Sequence, residues 1–451
     1  MLLDGGGSRV YARQDTKAGI VGEKVLAMSD SEGSVSRRGF LRKYGEAGAA
    51  GSFMIVRPEL VRGVGNGRVR AGIVGVGLRG TQAMVEFLSG NDDVELVAVG
   101  DLYHNNLEKA LNTVRDPARY PAIQSKIKVD REHMFTGFDA CQKVLASDID
   151  LILLVTPPIY RPGEFEAAVA ARKHIFAEKP LAVDPVGTRR VMAAAKKAEE
   201  LRLTVGVGAQ RRSQPEYQQS IQMIKDGAIG EVLAAYAYNL GSPLPRLNEK
   251  PAGMSELEFK IRNWPQYVSL GGDQVVEQHI HNVDVIQWVL GRPLKVVASG
   301  GRAWMPSNWV YGDKYDHICA EFTFPNGVIC SSHSRHYQRG CAMRNGELVI
   351  GTKGRSTCQD LAPRGPLPPK VQEHVYLVNS IRGRGPYINL AMAVAESTMM
   401  TIMARESAFS GKEVTWEMIM ASKLEFLPPD PEHLPPAGVP APAVPGQYQF
   451  R

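Results

Sequence analysis

Residues 69–90, VRAGIVGVGLRGTQAMVEFLSG, run from Val69 to Gly90 and set the architecture of the first half of the chain. They begin with a short apolar run, continue with a G-x-G-x-x-G at residues 75–80, and end with apolar residues at helical spacing. This pattern predicts a strand, a glycine turn and a helix, which is the context that a dinucleotide-binding fingerprint requires. The first glycine bends the chain, the second lets a pyrophosphate approach the backbone, and the third lets helix and strand pack closely.

A second predicted strand ends in an acid and supports this interpretation. Residues 94–101, VELVAVGD, form the strand, and Asp101 lies 26 residues after Gly75. A ribose-binding acid is expected about 20 residues after the first glycine. Since an aspartate accepts hydrogen bonds from a ribose 2′-hydroxyl and repels a 2′-phosphate, Asp101 favours NAD over NADP. The alternative is an aspartate that only caps a turn at the strand end.

Composition excludes several classes of function. The 451 residues are enough for two domains, and the net charge of +6 is small for that length. No basic stripe alternates with aromatic residues, so no nucleic-acid partner is predicted. The five cysteines contain no C-x-x-C pair, so no metal site is predicted, and they are interpreted as buried small residues. In an exported protein, Cys319, Cys330 and Cys341 are the disulfide candidates. No segment approaches the roughly 18 to 20 apolar residues of a membrane span.

The N-terminal region carries a possible export signal. Residues 36–42, SRRGFLR, resemble the twin-arginine motif S-R-R-x-F-L-K, and the weakly apolar residues 47–56 follow it. Twin-arginine signals have modest apolar regions and serve proteins that fold before export. We therefore expect the twin-arginine translocase as a partner during export and a periplasmic location. The alternative is a disordered basic tail on a cytoplasmic protein.

The order of predicted elements indicates the fold class. Strands and helices alternate up to about residue 210, which is typical of a doubly wound parallel sheet. Later strands follow one another, which favours a mostly antiparallel sheet with helices on one side. The sequence thus predicts an α/β fold, with a Rossmann domain followed by an α+β domain that has a large open sheet. The predicted bounds are 1–66 for the signal region, 67–210 and 211–427 for the two domains, and 428–451 for a proline-rich arm.

Two predicted strands of the first domain end in chemically informative residues. Thr156-Pro157-Pro158 follows one apolar strand, and Glu178-Lys179-Pro180 follows the next. Ligands of open α/β sheets bind at the carboxyl ends of the strands. In a partly desolvated cleft the pKa of Lys179 would fall, making it a usable acid/base or a donor to a reacting oxygen. The alternative is an exposed lysine in a turn.

Residues 274–290 predict one helix with a polar stripe. Glu277, His281 and Asp284 stand at positions i, i+4 and i+7. A carboxylate one turn from a histidine can orient the ring and raise its pKa, which gives a proton shuttle near neutral pH. His279 and His281 diverge on a helix, so a shared metal is not predicted. The alternative is a solvated helix face.

Taken together, the G-x-G-x-x-G, Thr156-Pro157-Pro158, Glu178-Lys179-Pro180 and the acid-x-x-x-His resemble the glucose-fructose oxidoreductase / inositol dehydrogenase / rhizopine catabolism (Gfo/Idh/MocA) family over residues 68–410. The resemblance implies that Lys179 lies by the nicotinamide and that His281 takes the proton of the reacting hydroxyl. Glu277 stands where the family has aspartate, and His279 where it has glycine. The resemblance also implies a homo-oligomer, either a dimer or a tetramer.

The candidate site follows from the motifs and from this resemblance. The catalytic candidates are Lys179, His281 and Glu277. The substrate-binding candidates are Arg211, Arg212, Trp264, His279 and His281. The cofactor-binding candidates are Gly75, Gly77, Leu78, Arg79, Gly80, Asp101, Thr156, Pro157, Glu178, Lys179 and Gln210.

The expected function is an exported NAD-dependent oxidoreductase acting on a hydroxyl of a sugar, polyol or glycoside. Two alternatives stay open. One is an NAD-dependent enzyme that cleaves a glycoside by oxidation, elimination and reduction, with no net redox change. The other is a protein that binds sugar and nucleotide without turnover.

Overall fold

The computed structural model describes residues 67–244, 246–428 and 438–450. The twin-arginine motif and the rest of residues 1–66 lie outside the described residues. No helix in the described ranges is long and apolar enough to cross a membrane. All five cysteines are unpaired; Cys319 and Cys341 are exposed and the other three are buried.

A six-stranded parallel sheet forms the first layer and confirms the predicted doubly wound architecture. Its spatial order is β3-β2-β1-β4-β5-β6. The first three strands are added toward one edge and the last three toward the other, so the strand order switches between β1 and β4. A crevice opens outside the carboxyl ends of the strands at such a switch point. The strands are β1 (Val69–Val74), β2 (Val94–Asp101), β3 (Met134–Thr136), β4 (Leu151–Leu154), β5 (His174–Ala177) and β6 (Val205–Val207).

Helices cover both faces of this sheet, so every residue of β4 and β5 is buried, and all of these residues except His174 are apolar. Asp184 and Pro185 begin the long helix of this layer as the sequence predicts, and the Asp184 carboxylate accepts a hydrogen bond from Gly187 N at 2.7 Å. The helices are α1 (Leu78–Gly90), α2 (His104–Val114), α3 (Ala140–Ala146), α4 (Arg161–Ala170) and α5 (Pro185–Glu200), with a 3₁₀ turn at Pro121–Lys126.

A seven-stranded sheet forms the second layer, in the order β12-β11-β7-β10-β9-β8-β13. Only the β7/β10 pair is parallel, so the predicted mostly antiparallel sheet is confirmed. The strands are β7 (Val232–Gly241), β8 (Lys295–Gly301), β9 (His317–Thr323), β10 (Ile329–His336), β11 (Arg344–Gly351), β12 (Arg355–Ser356) and β13 (Val414–Thr415).

The second sheet has one covered face. In β9, Ile318, Ala320 and Phe322 are buried toward the helices, whereas Cys319 and Glu321 on the other face are exposed. The homo-oligomer implied by the family resemblance stays a prediction. The helices of this part are α6 (Pro215–Lys225), α7 (Glu256–Arg262), α8 (Val268–Gly271), α9 (Gln274–Glu277), α10 (Ile280–Leu290), α11 (Pro369–Ile381), α12 (Ala391–Ser410) and α13 (Trp416–Ala421), with 3₁₀ turns at Gln210–Ser213 and Trp264–Gln266.

The C-terminal part of the chain returns to the first sheet. Val205 N donates to Ile388 O at 2.9 Å, and Leu390 N donates to Val205 O at 3.0 Å. Leu377 and Val378 of α11 are fully buried in one cluster with the core of the first sheet. Residues assigned to the second domain from the sequence therefore complete the first layer.

The described part of the proline-rich arm, residues 438–450, packs on its own chain. The Tyr448 hydroxyl donates to Glu406 Oε2 at 2.8 Å, and the Tyr315 hydroxyl donates to Ala443 O at 2.8 Å. Tyr448 also stacks edge-on against Phe409. The described part of the arm is therefore packed against its own chain.

Acid should destabilise the fold through His374. This ring is fully buried against Phe87 and Phe176, neither ring nitrogen has a partner in the described residues, and burial lowers its pKa to about 3. Because the folded pKa lies below the unfolded value, the unfolded state binds the proton first, and stability is lost as the pH falls below about 6.5. At pH 5 this one residue should cost about 2 kcal/mol relative to pH 7.

Urea unfolding of wild type and His374→Phe at pH 7 and pH 5 measures this cost. The variant should lose less stability than wild type on acidification. The matched control is His104→Gln, at an exposed position, which should leave the pH dependence unchanged. Equal losses in wild type and His374→Phe would contradict the expectation.

Candidate active site

A cavity of about 950 Å³ lies between the carboxyl ends of the first-sheet strands and the second domain. The fingerprint residues and the ends of β2 and β4 form one wall, and residues from 244–265 with α9 form the other. Of the candidates, the cavity brings together Gly75, Gly77, Leu78, Arg79, Gly80, Asp101, Thr156, Pro157, Trp264 and Glu277.

The three glycines of the fingerprint are needed for different reasons. Gly75 has φ +86°, and a Cβ there would lie 2.6 Å from Thr156 N. A Cβ at Gly80 would overlap the carbonyl oxygen of Gly75. At Gly77, in contrast, an added Cβ would meet no heavy atom within 4 Å. The fold itself therefore excludes side chains at Gly75 and Gly80, whereas Gly77 leaves room beside the backbone for a ligand.

The start of α1 fits a phosphate group. Gly77 occupies the N-cap position of α1, and no side-chain oxygen accepts a hydrogen bond from the first N–H groups of this helix. These N–H groups therefore lack a side-chain cap at the cavity wall. Leu78 is 74% exposed there. A dinucleotide pyrophosphate would be held by these N–H groups and by the helix dipole. The residues present therefore fit the NAD that the sequence predicts.

Asp101 lies at the end of β2 and holds the local backbone. Its Oδ2 accepts from Val76 N at 2.9 Å, and its Oδ1 accepts from Tyr103 N at 2.9 Å and Asn106 Nδ2 at 2.8 Å. Asp101 thus caps the turn, as the alternative interpretation proposed, and also lines the cavity. An ionised carboxylate has about four lone-pair positions, so acceptor capacity remains for a ribose hydroxyl.

Lys179 and Glu277 form a desolvated ion pair between the two domains. Lys179 Nζ donates to Glu277 Oε1 at 2.7 Å and to the Glu277 carbonyl oxygen at 2.6 Å. The two side chains are 10% and 8% exposed. The neighbouring Glu178 accepts from Arg79 Nε at 2.6 Å, which ties the fingerprint to the end of β5. Lys179 is therefore not an exposed turn lysine.

The predicted single helix over residues 274–290 is wrong, because the chain forms α9 and α10 with a break at Gln278 and His279. His281 N bonds to Gln278 O at 3.4 Å instead of to Glu277 O, which leaves the Glu277 carbonyl for Lys179. His279 is fully buried in the second domain, and its Nε2 lies 2.6 Å from Ser332 Oγ of β10. The break therefore separates the two histidines and exposes an acceptor to the lysine.

His281 is half-buried at the start of α10. Burial, together with the positive charges of Lys179 and Arg211, holds its pKa well below the ordinary value of 6.5. The ring is neutral at physiological pH, contrary to the raised pKa that the helix spacing predicts. The physical reason is that burial disfavours the charged ring, while the carboxylate of Glu277 is engaged by Lys179.

The remaining substrate candidates play different structural parts. Arg211 donates to the backbone carbonyl of His281 at 2.9 Å and pairs with Glu347. Arg212 is buried and pairs bidentately with Asp284 at 2.8 to 3.0 Å. Neither arginine is among the described residues that line the cavity. The same holds for Glu178, Lys179, Gln210, His279 and His281, although the partner of Lys179, Glu277, does line it.

Several polar residues at the site carry no sequence motif. Arg161 is buried and donates to the carbonyls of Thr156 and Pro180, which joins the ends of β4 and β5. Glu164 accepts from Thr156 Oγ1 in the cavity wall, and burial raises its pKa to about 7. Lys314 is fully buried without a hydrogen-bond partner in the described residues, and burial lowers its pKa to about 8.

Two of these residues offered some signal and one did not. Arg161 and Glu164 lie within ten residues of Thr156-Pro157, so the strand end pointed toward them. Lys314 comes from a loop far along the chain and reaches the vicinity of Glu277 only through folding. Among the described residues, no cluster of three or more His, Cys, Asp or Glu side chains could hold a metal ion.

Comparison with known proteins identifies both parts of the chain. A profile described as "Oxidoreductase family, NAD-binding Rossmann fold" matches residues 69–207. A profile described as "GFO/IDH/MocA C-terminal domain" matches residues 217–357. The chain is 28% identical to inositol 2-dehydrogenase of Salmonella typhimurium over 231 residues, which are 51% of this chain and 56% of that protein. The match thus spans little more than half the length of that relative.

Two further similarities are more distant. The chain is 22% identical to 2,7-anhydro-N-acetylneuraminate hydratase of Escherichia coli, over 63% of this chain and 66% of that protein. The crystal structure of scyllo-inositol dehydrogenase from Lactobacillus casei with bound NAD(H) and scyllo-inositol superposes with a TM-score of 0.58 at 19% identity, covering 77% of this chain and 99% of that one. The two profile matches together cover more than half of the chain, which therefore belongs to the Gfo/Idh/MocA family of NAD-binding oxidoreductases.

Proposed function

We propose that this protein oxidises a hydroxyl group of a sugar, polyol or glycoside with NAD. The observation that carries the proposal is the Lys179–Glu277 pair, which places a charged donor beside the cavity that contains the dinucleotide fingerprint. The inositol dehydrogenases among its relatives support a polyhydroxylated substrate. Turnover of myo-inositol, scyllo-inositol, glucose and a p-nitrophenyl glucoside, followed by NADH absorbance, tests it.

The first domain supplies the cofactor half of the site. Gly77 and the N-terminus of α1 bind the pyrophosphate, and Asp101 binds the adenosine ribose. Leu78, Arg79, Thr156 and Pro157 form the wall toward the nicotinamide, and NAD supplies the hydride acceptor. Thr156 is fixed there because its hydroxyl bonds to Glu164 and its carbonyl accepts from Arg161.

Lys179 orients the reacting hydroxyl. Its ammonium has three donors, of which Glu277 accepts two through its carbonyl and carboxylate oxygens. The third is available to the substrate oxygen. Because the pair is largely removed from water, the ammonium stabilises negative charge that develops on that oxygen more strongly than an exposed lysine would. Glu277 fixes the direction of Lys179.

His281 accepts the proton of the hydroxyl. A base must be unprotonated before the reaction, and burial keeps this imidazole neutral. The charge of Lys179 lowers its basicity, so the transfer depends on the hydroxyl becoming more acidic as the carbon–hydrogen bond weakens. Arg211 holds the backbone of His281 in place through the 2.9 Å bond to its carbonyl.

Glu164 favours a second candidate function, cleavage of a glycoside by transient oxidation, elimination and re-reduction. That sequence needs a further group to move protons at the carbon next to the oxidised one and at the leaving oxygen. Glu164 lies in the cavity wall with a pKa of about 7, so it can both give and take a proton. The relative named as a hydratase supports a route without net redox change. Release of p-nitrophenol without NADH accumulation would select this candidate.

Gly77→Ala should weaken NAD binding without unfolding the protein. The added methyl meets no protein atom within 4 Å, so it occupies only the space assigned to the pyrophosphate. We expect NADH affinity, measured by fluorescence titration, to fall at least about tenfold with an unchanged melting temperature. Gly80→Ala is the contrasting variant, because its methyl would overlap Gly75 O and should lower the melting temperature. Unaltered NADH affinity in Gly77→Ala would contradict the assignment.

Lys179→Ala should lower kcat by about 10² to 10⁴ while NADH affinity stays within a few-fold of wild type. Its control is Lys173→Ala, at the opposite end of β5, where Nζ donates to Ile149 O at 2.7 Å. Steady-state kinetics on the best substrate of the panel measure the effect. Wild-type turnover in Lys179→Ala would contradict the catalytic assignment. If the wild type binds sugar and NAD but turns over no substrate, the protein is a binding protein and not an enzyme.

Export through the twin-arginine route remains part of the proposal and rests on the SRRGFLR motif at residues 36–42. Changing Arg37 and Arg38 to lysine should retain the protein in the cytoplasm, since the translocase requires the paired arginines. Immunoblots of periplasmic and cytoplasmic fractions measure this. Equal periplasmic amounts of wild type and variant, or a wholly cytoplasmic wild type, would contradict export.

A further inference from the structure

Helix α7 of the second domain reaches across the cavity to Tyr103 and the first turn of α2, which follow β2. The Arg262 guanidinium lies 4.1 Å from the ring centroid of Tyr103. Its Nη1 donates to Asn106 Oδ1 at 3.3 Å and its Nη2 donates to Asn105 Oδ1 at 3.2 Å. One side chain thus makes three contacts with the opposite wall.

The contacted segment, Tyr103 with the first turn of α2, is bonded to Asp101 at the end of β2. Tyr103 N and Asn106 Nδ2 both donate to Asp101 Oδ1, and all three residues line the cavity together with Arg262. Since Asp101 marks the adenosine ribose, the Arg262 contacts cross the cavity at its adenosine end. The catalytic pair, Lys179 and Glu277, belongs to other elements.

Helix α7 is a firm base for this side chain. Ser255 caps its start by accepting from Glu258 N, and Phe259 is fully buried. Asn263, directly after the helix, accepts from Leu247 N at 3.1 Å and donates to Val310 O at 3.2 Å. Glu258 Oε1 accepts from Arg262 Nε at 2.7 Å, which directs the guanidinium toward Tyr103. The movable part is therefore the arginine side chain and not the helix.

We infer that Arg262 is a clasp over the adenosine half of the cofactor site, and that NAD enters and leaves only when its contacts with Tyr103, Asn105 and Asn106 open. The contacts of an arginine with one aromatic ring and two amide groups are weak enough to break without another ligand. They must nevertheless break each time that NAD enters or leaves. These contacts slow the exchange of the cofactor, and the exchange rate does not depend on the reaction at Lys179. The cofactor is then retained from one turnover to the next.

The clasp rests on NAD binding in this cavity and not on the identity of the substrate. Release can therefore be measured without any sugar, so failure of the proposed reaction and failure of the clasp are distinguishable. Wild type and Arg262→Ala are loaded with NADH, and release is followed by stopped-flow fluorescence after mixing with excess NAD. Association is followed by mixing the stripped proteins with NADH.

We expect Arg262→Ala to release NADH about tenfold faster and also to bind it faster, because a clasp slows passage in both directions. The matched control is Arg202→Ala. Arg202 also lies 4.1 Å from a tyrosine ring centroid, that of Tyr387, but outside the cavity lining. Its rates should equal those of wild type.

Asn105→Ala gives a second test that leaves α7 intact, since Asn105 is exposed and its amide oxygen accepts from Arg262. It should accelerate both rates by about twofold to threefold, and it should add little to Arg262→Ala because both act on one contact. Unchanged release in Arg262→Ala overturns the clasp. Faster release with unchanged association, and no effect of Asn105→Ala, also overturns it and makes Arg262 a direct nucleotide contact.

Discussion

The ion pair between Lys179 and Glu277 is the constraint on which the site depends. Both charges are largely removed from water, and a buried pair is tolerable only when its remaining hydrogen-bonding groups are also satisfied. The Glu277 carbonyl satisfies one more hydrogen of the Lys179 ammonium by accepting a second bond from Nζ. The end of β5 and the end of α9 are thereby held together, and Glu277 also lines the cavity.

The break between α9 and α10 follows from this arrangement. A continuous helix would use the Glu277 carbonyl for its own i to i+4 bond and leave the ammonium with one acceptor fewer. The chain instead turns at Gln278, so that His279 packs into the second sheet against Ser332 and His281 stays near the lysine. One irregular turn therefore gives two neighbouring histidines different surroundings, His279 in the core and His281 near the Lys179 charge.

The two ends of the cavity are held by different means. Where β4 and β5 end, the buried Arg161 bonds to the carbonyls of Thr156 and Pro180 and so joins the two strand ends. Where β2 ends, the partly exposed Arg262 reaches across the cavity to Tyr103 and Asn105. In the function proposed above, the first region holds the reacting groups and the second is the one that the nucleotide passes.

The six parallel strands, the glycine turn, the strand-end position of Asp101 and the position of Lys179 directly after a strand were all readable from residues 69–207, because these features depend on local periodicity and on chain order within one βαβ series. The partner of Lys179, the broken helix and the neutral His281 were not, since they result from contacts between residues about 100 positions apart. Arg262 lies 157 residues from Asn105, and no local pattern marks it. Burial and long-range charge fix such protonation states and contacts, and both exist only once the two sheets have packed together.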